Sequence, residues 1–323
     1  MSHRFWAFGG IAFLVLLPLA SKKDFVLYLT TLILLWALLC VSLNVIFGYA
    51  GQLSLVHGGL FGAGAYVYGV LATKLGVDFW LAFPLGGFAA GLIGLLIGVP
   101  SLRLRGPYFV IVTLGFNIIL VAIIENLGDL TGGVIGLMGI PAPSDIRFPF
   151  FTVSFSSKIA QYYLVLSFLL LFWWVAYRVK NSPLGRCLRA IKEDEDLCQS
   201  VGINTMWMKG QTFILSSILA GFGGVLFGSV VGIITPRDAS FHIGFDALVF
   251  LTVGGIGTIL GTIIGPAIMI VISELLQAVV EVSLFVNGLV LVLLIIFMPK
   301  GIAGAIGYLQ RRFSLSRNPM RDG

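Results

Sequence analysis

Long apolar segments, interrupted by glycine, proline or charged residues, follow one another along almost the whole chain. Their lengths suit bilayer-spanning helices, which need about 20 mostly apolar residues. The pattern predicts about ten spans: 5–20, 25–47, 51–73, 79–99, 107–125, 159–177, 210–233, 244–260, 262–280 and 284–298. A transmembrane barrel would instead show short segments of alternating polarity. We therefore predict an all-α polytopic membrane protein.

The remaining polar segments define the domain organisation. We predict one transmembrane domain over 1–298, which contains an outer loop at 126–158 and a cytoplasmic segment at 178–209. A basic cytoplasmic tail follows at 299–323. The first apolar run resembles a secretory signal, but Pro18 stands where cleavage after Ala20 would need a small residue. We interpret that run as a short first span.

The distribution of charge supports a topology with both termini in the cytoplasm. In that topology, 14 of the 20 lysines and arginines lie on the inner side, as the positive-inside rule requires. The acidic residues, including Asp246 and Glu274, are then predicted at or near the outer ends of spans, and His242 near the outer rim. The sequence therefore predicts no carboxylate in the middle of the membrane.

Composition excludes several other classes of protein. Charged residues make up 11% of the chain, whereas about a quarter is usual for a soluble domain. The net charge of +6 is explained by the basic cytoplasmic segments, so we expect no nucleic-acid partner. Cys40, Cys187 and Cys198 show neither a disulfide framework nor the spacing of a metal site.

Glycine, at 41 residues, is concentrated in two clusters, Gly48–Tyr66 and Val253–Pro266. Glycines four residues apart allow helices to pack closely, and this explains most of the pairs. The dense clusters also favour broken or re-entrant helices, which survive at membrane depth only where they are packed in protein or line a cavity. Such breaks mark the transport path in repeat-built transporters. The predicted path residues are Gly48, Gly51, Gln52, Ser54, His57, Thr113, Asn117, Gly255 and Gly257.

His57 has two interpretations. An intramembrane histidine acts as a ligand or proton carrier in some transporters. It also serves as a hydrogen-bonding residue between helices, and we favour this second interpretation.

The segment 182–204 is unusually polar for this chain. Ser182 suits a helix N-cap, Pro183 a first turn and Gly202 a helix end. The pattern predicts one amphipathic helix, or two short helices broken at Glu193–Asp196. Three roles remain open: a solvated connector, a helix on the lipid surface, or a docking element for a soluble partner. The acidic run argues against the lipid surface, because anionic headgroups would repel it.

Several stretches together resemble the permease subunits of ABC importers of the branched-chain amino-acid type. They are LNVIFGYAGQLSLVHGGLFGAGAY, SLRLRGPYFVIVTLGF, LTGGVIGLMGIP, GRCLRAIKEDEDLCQSVGIN, VGGIGTILGTIIGP and FMPKGI. RLRGPYF and TGG…GL…GIP are typical of the longer of the two paired permease types. The resemblance covers roughly residues 35–305. This chain has Val56 before His57 where glycine is commoner.

The resemblance implies a role for the polar segment, which in such importers seats on an ATPase subunit. The implied coupling residues are Gly185, Arg186, Arg189, Ala190, Glu193, Asp194 and Gly202. The chain has no G-x-x-x-x-G-K-[ST] loop for nucleotide phosphates, so ATP and Mg are expected on separate subunits. The implied partners are a second homologous permease, two ABC ATPases and an extracytoplasmic solute-binding protein, in the bacterial cytoplasmic (inner) membrane. The implied solute is a branched-chain or related amino acid, or an amide.

Two alternatives come from other functional classes. An ion-coupled secondary transporter or channel would use similar broken helices, but it usually needs a charged relay within the membrane. An intramembrane enzyme needs a nucleophile with a base, paired carboxylates or metal ligands. The sequence places none of these, so we expect a transport subunit without an active site of its own.

Overall fold

The computed structural model describes residues 14–18, 24–147, 152–155, 157–276 and 302 of the 323-residue chain. The predicted span at 284–298 lies outside these residues. So do most of the span at 5–20, the end of the span at 262–280, and the tail at 299–323 apart from one residue.

The described residues form helices in the following order: α1 (Asp24–Leu43), a π-helical turn (Asn44–Gly48), α2 (His57–Lys74), α3 (Phe79–Ser101), α4 (Pro107–Asn126), α5 (Gly128–Thr131), α6 (Lys158–Asn181), α7 (Pro183–Glu193), α8 (Glu195–Ser200), α9 (Thr205–Val231), a 3₁₀ turn (Pro236–Ala239), α10 (Phe241–Gly254) and α11 (Gly261–Leu276). Five helical segments are long and apolar enough to cross a bilayer: Asp24–Gly48, α3, α4, α6 and α9. Two shorter apolar helices, α10 and α11, follow. The prediction of an all-α polytopic membrane protein is confirmed.

Three predicted spans had the wrong bounds. Residues 51–56 are not helical, because Gly51 has a positive φ of 72°, which a helix does not accommodate. The span predicted at 244–260 ends at Gly254, where Gly255 takes a φ of 114°. The span predicted at 210–233 begins earlier, at Thr205, because the Asn204 side chain caps the helix by accepting a hydrogen bond from the amide of Trp207 at 3.0 Å.

Helix α9 packs against α2 and α3 through glycines. A Cβ atom at Gly224 would lie 1.8 Å from the carbonyl oxygen of Phe61 in α2, so these backbones meet without an intervening side chain. On α3, four glycines at helical spacing receive bulkier residues of α9: Gly87 meets Phe222, Gly91 meets Ile218, Gly94 meets Ser217 and Gly98 meets Phe213. The prediction that spaced glycines allow close helix packing is confirmed at these positions.

Short strands at one end of the bundle were not predicted. β1 (Leu137–Met138) pairs antiparallel with β4 (Ile233–Ile234), and β2 (Ile146–Arg147) pairs with β3 (Thr152–Val153). The β1–β4 pair ties the long loop after α4 to the end of α9. Strands of two residues have no periodicity to detect, so nothing in the hydrophobic pattern indicated them.

Candidate translocation path and coupling site

The polar segment after α6 folds as two short helices, α7 and α8, broken at Asp194. The Ser182 hydroxyl accepts a hydrogen bond from the amide of Gly185 at 3.2 Å, and the Asp194 carboxylate accepts one from the amide of Leu197 at 2.9 Å. Each helix therefore has its own N-cap. Leu188 and Ile191 are buried against the bundle, which leaves the other side of the segment open.

Gly185 lies at the joint between α6 and α7 and is buried. A Cβ atom there would lie 2.2 Å from the carbonyl oxygen of Val179. The other predicted coupling residues are exposed: Arg186, Arg189, Ala190, Glu193, Asp194 and Gly202. Leu197 and Val201 are also exposed, at 62% and 69%, and sequence reasoning missed them because they look like ordinary core positions.

A cluster of charges around Glu195 fixes α8 to the spans. The Lys209 ammonium lies 2.6 Å from one Glu195 carboxylate oxygen, which also accepts a hydrogen bond from the Thr205 hydroxyl at 3.0 Å. Arg105, in the link between α3 and α4, approaches the other carboxylate oxygen at 3.7 Å. Its hydrogen bond to Asp196, together with the charge of Glu195, raises the pKa of the Arg105 guanidinium. The segment is therefore attached to both α9 and the α3–α4 link.

Two lysines join the same region to the glycine-rich breaks. The Lys192 ammonium, on α7, donates a hydrogen bond to the carbonyl of Gly48 at 3.0 Å. The Lys180 ammonium, at the end of α6, donates to the carbonyl of Gly257 at 2.9 Å. Asn44 bridges the two breaks, because its Oδ1 accepts from the amide of Gly257 at 2.8 Å and its Nδ2 donates to the carbonyl of Thr258 at 3.1 Å. The two clusters, far apart in sequence, thus meet beside α7.

The unwound residues 51–56 are held by α4. The Thr113 hydroxyl accepts a hydrogen bond from the amide of Leu55 at 3.3 Å, and Asn117 Nδ2 donates to the carbonyl of Leu55 at 3.4 Å. These contacts satisfy backbone groups that lipid would leave unpaired. The ring nitrogens of His57 each lie 3.1 Å from a serine hydroxyl, those of Ser54 and Ser216. This geometry agrees with a hydrogen-bonding role between helices.

The predicted path residues therefore fall into two groups. Gly48, Gly51, Gly255 and Gly257 lie near α7; Ser54, His57, Thr113 and Asn117 lie farther along the spans, and the half-buried Gln52 lies on the unwound segment between the groups.

Helix α10 begins in the middle of the bundle, so its charged residues lie elsewhere than the sequence pattern predicts. Ser216, the partner of His57, is 11 residues from the start of the 27-residue helix α9, or about 16 Å along its length of about 40 Å. A Cβ atom at Gly244 would lie 3.2 Å from the amide nitrogen of Gly58. Asp246, two residues later, therefore lies level with the inner length of α9 rather than at an end of the helix bundle, where the sequence analysis expected it. His242, two residues before Gly244, lies in the same part of the bundle.

Comparison with known proteins gives consistent matches. The family model described as "Branched-chain amino acid transport system / permease component" matches residues 25–299. The chain is 33% identical over 292 residues to the high-affinity branched-chain amino acid transport system permease protein LivM of Salmonella typhimurium, covering 85% of this chain and 69% of that one. It is 28% identical over 290 residues to the corresponding protein LivH of Escherichia coli, covering 83% and 91%. No solved structure matches the chain at a significant level.

Proposed function

We propose that this chain, which belongs to the family of permease components of branched-chain amino acid transport systems, carries a branched-chain or related amino acid inward across the membrane. The transport systems of this family are ABC importers. In the proposed cycle, separate subunits hydrolyse ATP with Mg, and this chain supplies the path. Alternating access of this kind requires two discrete packings of the helices.

The observation that carries the proposal is the segment α7–α8. It exposes charged residues to solvent together with the apolar side chains of Leu197 and Val201. A lipid-facing helix would not present the acidic residues Glu193 and Asp194, and a solvated connector would not need the apolar ones. A mixed surface of this kind suits a reversible protein interface, in which charge complementarity sets the orientation.

The attachments of this segment give a route for motion. A displacement of α7 would act on Gly48 through Lys192, and a displacement of the α6–α7 joint would act on Gly257 through Lys180. A displacement of α8 would act on α9 through Lys209. The ATPase would thereby move the glycine-rich breaks and the spans together.

The other expectations complete the proposal. The exposed segment is expected to dock on one of two ABC ATPases, and a second homologous permease and an extracytoplasmic binding protein are expected to complete the importer. The basic residues near α7 support a cytoplasmic location for that end of the bundle, by the positive-inside rule. In the proposal, both termini lie at the same end and the chain lies in the bacterial inner membrane.

Co-purification with the ATPase tests the proposal directly. Leu197→Glu places a charge on the exposed apolar part of the segment, and we expect it to lower the amount of bound ATPase at least about tenfold, since a buried unpaired charge costs several kcal/mol. The matched control is Val134→Glu, which changes another exposed apolar residue, at 75%, in the loop after α5. Equal recovery of ATPase with both variants would refute docking at this segment.

A further inference from the structure

We propose that Asp246 binds the ammonium group of the amino acid during its passage through the membrane. The inference rests on the proposed function, because it takes the solute to be an amino acid. It also goes further, since it assigns to this chain a binding site for a specific charged group.

Asp246 lies deep in the membrane, because of where α10 begins and ends. The start of α10 is fixed beside the start of α2, because a Cβ atom at Gly58 would lie 2.5 Å from the carbonyl oxygen of Ser240. The end of α10 leads into Gly257, whose carbonyl is bound by Lys180 near the coupling segment. With 14 residues, α10 is about 21 Å long and covers only the inner part of the bilayer. Asp246 lies in the first half of this helix, close to the centre.

Asp246 faces away from the bundle. Gly244, Ala247 and Leu251 are buried and define the face of α10 that packs on the bundle. His242, Phe245 and Asp246 are exposed and define the opposite face. Because His242 and Asp246 are four residues apart, they lie one above the other on the helix.

Lipid is an unfavourable environment for the face of α10 that carries Asp246. A charged side chain at the bilayer centre costs at least about 2.5–3.5 kcal/mol when it faces lipid, and such residues face a water-filled cavity or a partner instead. Among the described residues, no basic nitrogen lies within 4.0 Å of the Asp246 carboxylate. Within the described part of the chain, the carboxylate therefore has no basic partner and is available to a cation that enters from the path.

The chemistry of the solute supplies that cation. A branched-chain amino acid carries one ammonium group, one carboxylate and an aliphatic side chain. Asp246 complements the ammonium group, and the exposed ring of Phe245 offers an apolar contact for the side chain. Arg237 is exposed on the 3₁₀ turn that leads into α10. Its positive charge, on the outward side of Asp246, complements the carboxylate of the amino acid.

The test uses the assembled importer in liposomes with its binding protein and internal ATP. Asp246→Asn removes the charge and keeps the shape, whereas Asp246→Glu keeps the charge. We expect Asp246→Asn to lower leucine uptake per assembled complex at least about tenfold, the lower end for a hydrogen bond to a charged group, and Asp246→Glu to retain more. The matched control is Asp129→Asn, an exposed carboxylate outside the spans, and its uptake should equal that of the wild type.

A second measurement does not depend on uptake. A leucine analogue with a photoreactive diazirine in its side chain should crosslink to 241–254 in the wild-type complex and not in Asp246→Asn. Wild-type uptake by Asp246→Asn would overturn the inference and leave the proposed function intact. Loss of the second permease from the purified Asp246→Asn complex would also overturn it, because Asp246 would then act at the interface between permeases. A wild-type complex without ATP-dependent uptake would contradict the proposed function itself.

Discussion

The ion pair between Glu195 and Lys209 should determine how firmly α8 is attached to the spans. Their charged atoms are 2.6 Å apart, and the Lys209 side chain is 1% exposed. At an effective dielectric constant of about 20, the attraction at this distance is about 6 kcal/mol. Glu195→Gln removes it and leaves the lysine buried without a counter-charge, a change that costs about 3–5 kcal/mol. Because glutamine still accepts hydrogen bonds from Lys209 and Thr205, we expect a cost near 3 kcal/mol.

Hydrogen exchange measured by mass spectrometry tests this value. A local destabilisation of about 3 kcal/mol raises the population of the open state about 100-fold, so amides in 195–204 should exchange faster by that factor. The matched control is Asp196→Asn, which also changes an acid to an amide but affects a pair with Arg105 whose side chains are 80% and 48% exposed. Water and salt screen exposed pairs, which contribute little to stability, so this variant should accelerate exchange far less than Glu195→Gln does.

The double variant Glu195→Gln, Lys209→Met provides a further check. Removing both charges eliminates the uncompensated lysine, so exchange should return part of the way to the wild-type rate. Equal acceleration by Glu195→Gln and Asp196→Asn, or a double variant with strictly additive effects, would refute the argument that burial makes this pair important.

Two further predictions concern packing and thiol reactivity. Gly224→Ala should destabilise the purified protein by about 1–3 kcal/mol, because its Cβ would overlap the carbonyl of Phe61. Gly115→Ala should be neutral or stabilising, because a Cβ there would meet no atom within 4 Å beyond its neighbours in the same helix. Thermal unfolding that is the same for both variants would contradict this. Burial, followed by the charge of Asp194, raises the pKa of the Cys198 thiol. Because the thiolate is the reactive form, iodoacetamide at neutral pH should modify Cys198 more slowly in the native protein than in the denatured protein. The rate of modification in the native protein should rise over a higher pH range. Equal rates in the two states would show that the thiol is accessible and unperturbed.

Local features of the sequence predicted the elements well. The polar segment was predicted as one helix or as two short helices broken at Glu193–Asp196, and the structure has two, because Ser182 and Asp194 each cap the helix that follows. The spaced glycines of α3 likewise indicated close helix packing. A glycine leaves room for a neighbouring helix whichever part of the chain supplies that helix. Apolar run length predicted α3 and α4 closely, but it did not predict the ends of the spans that glycines interrupt.

The site was less predictable, because its contacts join distant parts of the chain. Nothing in the sequence pairs Glu195 with Lys209 rather than with another lysine. The contact of Asn44 with Gly257 joins residues 213 positions apart. Polar residues in the clusters were identified as candidates, but the separation of these candidates into one group beside α7 and another farther along the spans depends on how the broken spans cross.

The sequence by itself determined that this protein is a bundle of apolar helices with one polar segment between two of them and two glycine-rich clusters, because composition, capping and periodicity act over a few residues. Only the tertiary structure decided the position of Asp246 within the bundle, since that position depends on where a span is interrupted and on which neighbour fixes its end. The interruption at Gly255 and the contact with Gly58 set α10 beside the start of α2, and the hydrophobic pattern along the chain indicates neither.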